Sequence, residues 1–201
     1  MPTFTIFAGI NGAGKSTLYD FQKSIGNSDL GVRICPDDIL AANNGSWKSH
    51  CDLFMSGQMT ISKINYCIQN KISFNWETTS LGHIGEKFIE DAKANGFEIH
   101  LNFVGMDDIE ESLRRIAYRV SCGGHGVPED IVRSRHQYQS KGLAKALNMV
   151  DKAVLYDNKD TIKVVGSYFD SHLYVFDNES KWMQELVSMI NPNTPDELNN
   201  I

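Results

Sequence analysis

The most constraining stretch of this chain is Gly9-Ile10-Asn11-Gly12-Ala13-Gly14-Lys15-Ser16, which fits a phosphate-binding loop without mismatch. Its surroundings matter as much as the motif. Phe4, Ile6, Phe7 and Ala8 precede it as a short apolar run, the pattern of a strand buried on both faces. After it, Leu18, Phe21 and Ile25 recur at helical spacing. Glycines in the turn between let the backbone curl so that its N–H groups face an anion, and the helix N-terminus adds its positive dipole end. The pattern therefore predicts a strand at 3–8, an anion-binding turn, and a helix at 15–25. Gly9, Asn11, Gly12, Ala13, Gly14, Lys15, Ser16 and Thr17 would hold a nucleotide, with Lys15 on the β- and γ-phosphates and the Ser16 hydroxyl on Mg²⁺.

The alternation continues along the chain. Strands are expected at 32–35, 72–76, 97–104 and 152–156. Helices are expected at 37–42, 47–69, 84–94, 109–120 and 128–149, the last beginning at Pro128. In the helix at 109–120, Glu110 and Glu111 are placed to pair with Arg114 and Arg115. Two β-rich stretches, 161–169 and 172–176, read as a hairpin or edge strands, and 181–190 as a further helix. Residues 191–201 are polar with two prolines and are expected to fray. The 201 residues suffice for one domain with a substantial core, placed at 1–190. The fold class is α/β: a mainly parallel five-stranded sheet, helices on both faces, and a C-terminal β-hairpin or edge strands.

Composition excludes more than it selects. The net charge of −6 argues against a wide nucleic-acid footprint, and Lys141, Lys145, His136 and Tyr138 are a weak basic–aromatic cluster. Cys35, Cys51, Cys67 and Cys122 show no metal-ligand spacing and read as reduced thiols. The first basic side chain is Lys15, so no signal peptide is expected, and no apolar run has the length of a membrane span. A cytoplasmic location follows as the expectation.

In a parallel sheet, ligands bind beyond the C-terminal strand ends. The glycine loop, Asp37, Glu77 and Asp157 each follow a predicted strand, so they should gather on one edge. Asp37 there can accept the proton of an attacking hydroxyl, while Asp37 or Asp38 can equally cap a helix. Glu77, Thr78 and Thr79 suit a polar substrate or a water on Mg²⁺, or else a capping box. Arg114, Arg115, Arg119, Arg133 and Arg135 bracket the glycine-dense loop around His125, and a positioned Arg is the side chain that best matches phosphate oxygens. His125 serves loop structure or substrate contact.

Together, AGINGAGKST, Pro36-Asp37-Asp38-Ile39, Glu77-Thr78-Thr79, LNFVG, RVSCGGHGVPEDIVRSR and YDN resemble the zeta-toxin family over roughly residues 3–158. The resemblance implies a P-loop kinase that uses ATP and Mg²⁺ to phosphorylate UDP-N-acetylglucosamine at the sugar 3′-hydroxyl. It also implies a small helical antitoxin as protein partner. By motif, Lys15 and Ser16 would bind ATP and Mg²⁺, Asp37 would be the base, and Glu77 and Thr79 would contact the sugar. Arg119 would stabilise the transferring phosphate, with a second phosphate arginine at Arg133 or Arg135. The chain departs from the family at Cys35, where Asn is common. Two other readings are a kinase for another small metabolite or nucleotide, and an ATP-binding switch acting through a protein partner.

Overall fold

A computed structural model describes residues 1–26, 30–79 and 81–190. The expectation of a frayed end at 191–201 falls outside the described residues. Strand β1 (Thr3–Ala8) leads through the glycine loop into α1 (Lys15–Ser24), as the motif requires. Then follow β2 (Val32–Ile34), α2 (Pro36–Ala42), α3 (His50–Gln69), β3 (Phe74–Thr78), α4 (His83–Ala94) and β4 (Glu98–Gly105). Next come α5 (Ile109–Ser121), α6 (Glu129–Gln137), α7 (Gln139–Leu147), β5 (Lys152–Asp157), β6 (Lys163–Phe169), β7 (His172–Val175) and α8 (Lys181–Ile190).

The sheet order is β2-β3-β1-β4-β5-β6-β7. The first five strands in that order run parallel, and β6 and β7 add an antiparallel hairpin at one edge. β1 is hydrogen-bonded on both sides, with Ile6 opposite Trp76 of β3 and Leu101 of β4. Its side chains alternate between two cores. Phe4, Ile6 and Ala8 join Ile64, Phe88, Leu143 and Trp182 from α3, α4, α7 and α8. Phe7 joins Leu18 and Tyr19 of α1 with Val104 and Met106 on the other face. A strand apolar at nearly every position is thus explained by helices on both faces. From β1 the chain runs out to β2, returns to β3 beside β1, and then crosses to β4 on the other side of β1, which makes the end of β1 the crevice of the sheet.

Two expectations are corrected. α3 begins at His50, because Ser49 caps it by accepting from the Asp52 N–H at 3.3 Å. The helix expected at 128–149 is two helices that break at Tyr138. Gln139 grips Met106 at the end of β4 through both backbone groups, and the Ser140 hydroxyl donates to the Trp182 carbonyl. Those tertiary bonds point α7 at α8 and leave α6 aimed at the glycine loop. Among the described residues, no helix is long and apolar enough to cross a membrane.

Candidate functional site

The glycine loop follows a backbone path that favours glycine. Gly9, Gly12 and Gly14 all have positive φ, and none could carry a side chain. A Cβ on Gly9 would lie 2.3 Å from the Val104 carbonyl, and one on Gly14 would lie 2.5 Å from the Asn158 amide. The carbonyls of residues 10–13 are each engaged. Lys15 Nζ donates to the Ile10 carbonyl at 3.0 Å, and the Ser112 hydroxyl to that of Asn11. Arg115 donates to Gly12 at 3.4 Å and Asn158 to Ala13 at 2.7 Å. With these oxygens held, the curl could turn its remaining N–H groups toward an anion, the Ala13 N–H being itself bonded to the Ile10 carbonyl at 3.3 Å. Sequence reasoning missed Ser112, a solitary serine on a helix with no motif around it.

Beside the loop lies a cavity of about 470 Å³. It is lined by Asn11, Gly12, Lys15, Asp37, Glu77, Thr78, Thr79, Arg119, His125 and Arg135, residues from six separate segments of the chain. Trp47, Leu53, Val127 and Ile131 form its apolar wall. A larger groove of about 810 Å³ between α3 and α4 shares no residue with this one.

Lys15 is buried, and that burial pushes its ammonium pKa down even though Glu77 and Asp37 pull it up. Such a group gains from an anionic ligand that replaces lost hydration. Asp37 is raised by burial, but His125, Arg119 and Lys15 outweigh it and hold the carboxyl below the ordinary range. Neither Asp37 nor Asp38 caps α2; Asp38 instead pairs with Arg33 at 2.9 Å. The Cys35 thiol is pushed up to about 12, first by burial and then by Glu77, and is therefore a neutral thiol and no nucleophile at physiological pH.

Ser16 Oγ donates to both Glu77 carboxylate oxygens, at 2.9 and 3.0 Å. A hydroxyl and a carboxylate at the start of α1 form an all-oxygen donor set that suits a hard cation such as Mg²⁺. Arg33 holds the other side of Glu77 at 3.0 Å and lies 3.8 Å over the Tyr19 ring. Sequence reasoning missed Arg33 as well, since it sits in a three-residue strand without a neighbouring signal.

The arginines divide. Arg119 donates through Nε to the His125 carbonyl at 2.8 Å, while its Nη2 is buried without a partner among the described residues. Arg135 lines the cavity and donates to Asn11 Oδ1 at 2.7 Å. Arg133 is not brought there: it pairs with Glu110 and Glu129, both at 2.7 Å, on the outer side of α6. Arg114 and Arg115 both pair with Glu111, so Glu110 is spent on Arg133 rather than on them. Asp157 also stays away. Its carboxylate accepts from the Trp182 indole N–H at 2.8 Å and from the Lys159 N–H, which makes it a buried anchor for α8.

Residues 1–169 match the family described as Zeta toxin. A stretch of 130 residues is 34% identical to an uncharacterized protein of Haemophilus influenzae, covering 65% of this chain and 89% of that protein. Among solved structures, the AvrRxo1-ORF1:AvrRxo1-ORF2 complex with sulphate ions has a similar chain, with TM-score 0.68, 13% identity and 92% of this chain covered. This chain spans 64% of that one's length. The PezAT chromosomal toxin–antitoxin system of Streptococcus pneumoniae gives TM-score 0.62 at 16% identity, covering 96% of this chain and 85% of that one. AvrRxo1-ORF1:-ORF2 with ATP gives TM-score 0.67 at 14% identity, covering 98% and 65%. At these identities the likeness is one of fold.

Proposed function

Because this chain belongs to the zeta-toxin family, we propose that it is a kinase carrying the γ-phosphoryl group of ATP to a hydroxyl of a small acceptor. One observation carries the reading: Arg119 presents a buried, unpartnered N–H in the wall of the cavity that holds Lys15 and Asp37. An orphaned guanidinium N–H is costly unless a ligand satisfies it, and a phosphate oxygen is the matching acceptor. The neighbour solved with ATP agrees with ATP as donor.

In this reading the turn from Gly9 to Gly14 and Lys15 bind the phosphates, with Thr17 on the first turn of α1. Arg119 and Arg135 meet the charge on the transferring group. Ser16 and Glu77 would hold Mg²⁺, which would supply neutralisation of phosphate charge. Asp37 takes the proton of the acceptor hydroxyl. Thr78 and Thr79 line the acceptor side with Trp47 and Leu53. Residues 1–190 act as one domain, and ATP as donor implies the cytoplasm as its compartment.

UDP-N-acetylglucosamine is the acceptor the family resemblance favours. An antitoxin is the protein partner favoured by the likeness to the PezAT toxin–antitoxin system. The test is a panel of hydroxyl acceptors incubated with ATP and Mg²⁺ and read by mass spectrometry for one added phosphate. UDP-N-acetylglucosamine should gain it. ADP formation without any phosphorylated acceptor, unchanged across the panel, would instead favour an ATP-driven switch.

A further inference from the structure

We infer that His125 is the positioning residue of Asp37: it holds one carboxylate oxygen so that the other is presented to the acceptor hydroxyl. The inference rests on the proposed role of Asp37 as base.

The geometry begins with the pair itself. His125 Nε2 lies 2.6 Å from Asp37 Oδ2 across 88 residues of sequence (125 − 37). The pair does not meet hydrogen-bond geometry, so the contact is one of distance, and Nε2 is buried with no other partner among the described residues. Oδ2 is taken, and Oδ1 remains for a hydroxyl. With Nε2 committed to Asp37, His125 is a poor candidate for direct substrate contact through that nitrogen.

The loop that delivers His125 is clamped on both sides. Arg119 Nε donates to the His125 carbonyl at 2.8 Å. A Cβ on Gly124 would lie 2.7 Å from Arg119 Cγ, and one on Gly126 would lie 2.7 Å from the Trp47 indole. The glycines therefore bring backbone into close contact with Arg119 and Trp47, and the imidazole is the one side chain of 123–126. Ring and carboxylate meet as the closure of a packed loop, which is the condition for holding a carboxylate to one orientation.

Charge agrees with geometry. Asp37 is faced by Lys15 from α1, Cys35 and Asp38 beside it, His50 from α3, Glu77 from β3, Arg119 from α5 and Arg135 from α6. Burial alone raises its carboxyl, and the largest opposing influence is His125, ahead of Arg119 and Lys15. In the transfer step the acceptor O–H bond breaks and its proton goes to Asp37 Oδ1. The acceptor oxygen bonds to the γ-phosphorus as the bond to the bridging oxygen breaks, and ADP leaves with that electron pair. Asp37 works as a carboxylate, so the rate is present above its pKa and is lost as pH falls through it.

The test uses the full chain and its His125→Ala, His125→Gln and Asp37→Asn variants. Two quantities are read: the ¹³C titration of the Asp37 carboxyl, and ADP release from ATP with Mg²⁺, water serving as acceptor. In His125→Ala the Asp37 midpoint and the acid limb of kcat should rise by about one pH unit or more. kcat should fall about 10-fold with KM for ATP unchanged. His125→Gln keeps an N–H donor at the same place and should recover part of both losses. An Asp37 midpoint that stays put in both His125 variants overturns the inference. If Asp37→Asn keeps full activity, the base assignment itself fails; if it loses activity while the His125 variants leave the midpoint alone, only the role of His125 fails.

Discussion

Ser16 and Glu77, 61 residues apart in sequence, meet at the start of α1, where the serine hydroxyl donates to both carboxylate oxygens. Parallel pairing of β1 with β3 brings them together: Ala8 lies opposite Thr78, so the glycine loop and the end of β3 emerge side by side. Glu77 is turned toward the loop, and Arg33 fixes it from behind. Glu77→Gln should therefore raise the Mg²⁺ concentration for half-maximal ADP release by about tenfold, the size of effect expected when a metal site loses a supporting carboxylate. Acceptor KM should change little. The check is a Mg²⁺ titration of turnover at fixed ATP. The reverse pattern, with metal dependence intact and acceptor KM raised, would return Glu77 to the acceptor.

Lys15→Ala should abolish ATP binding while leaving the fold intact. The side chain is buried against its own loop, so truncation removes the charge that the phosphates meet without exposing a core. Calorimetric titration with ATP, alongside circular dichroism, checks both halves. A variant that binds ATP like the parent would refute the phosphate-loop assignment.

Asp37→Asn should reduce phosphoryl transfer by about 10²-fold or more, as loss of a general base does, with ATP affinity nearly unchanged. The carboxyl is held ionised below its ordinary range. Transfer in the parent should accordingly persist as pH falls through the ordinary carboxylate range and be lost only below it. Equal losses of ATP affinity and rate would point to a metal-binding or folding role.

Arg119→Ala should lower kcat with the acceptor's KM little affected, since Nη2 is a buried N–H group in the cavity wall with no partner among the described residues. Arg119→Lys should recover only part of it. An ammonium cannot both hold the His125 carbonyl and offer a second planar N–H to phosphate. Steady-state kinetics on both variants decide the matter, and turnover left intact in Arg119→Ala would shift the role to Arg135.

Asp157→Ala should cost stability rather than chemistry. It leaves the buried Trp182 indole N–H without its acceptor, at a cost of about 1–3 kcal/mol. The melting temperature should fall by about 2–4 °C per kcal/mol, with kcat per folded molecule retained. A selective loss of kcat at unchanged melting temperature would place Asp157 in the reaction instead.

The local pattern of the sequence determined the elements and the anion-binding turn. Helical and strand periods are written in residues two to four apart, and a glycine loop between a buried strand and a helix has one well-known use. That is why β1, α1 and α8 lie close to where periodicity puts them, and why the parallel sheet with its antiparallel edge was legible. Tertiary structure alone decided which side chains meet. Ser112 and Asn11 lie 101 residues apart, Arg135 and Asn11 124, and Asn158 and Ala13 145. No period spans such distances; strand order and register set those partners. The same physics separated residues that look alike in sequence. Arg135 turned to the loop and Arg133 to Glu110 and Glu129, because two positions along a helix are about 200° around it. Asp37 joined the site and Asp157 did not, because the Trp182 indole had a buried N–H that needed an acceptor.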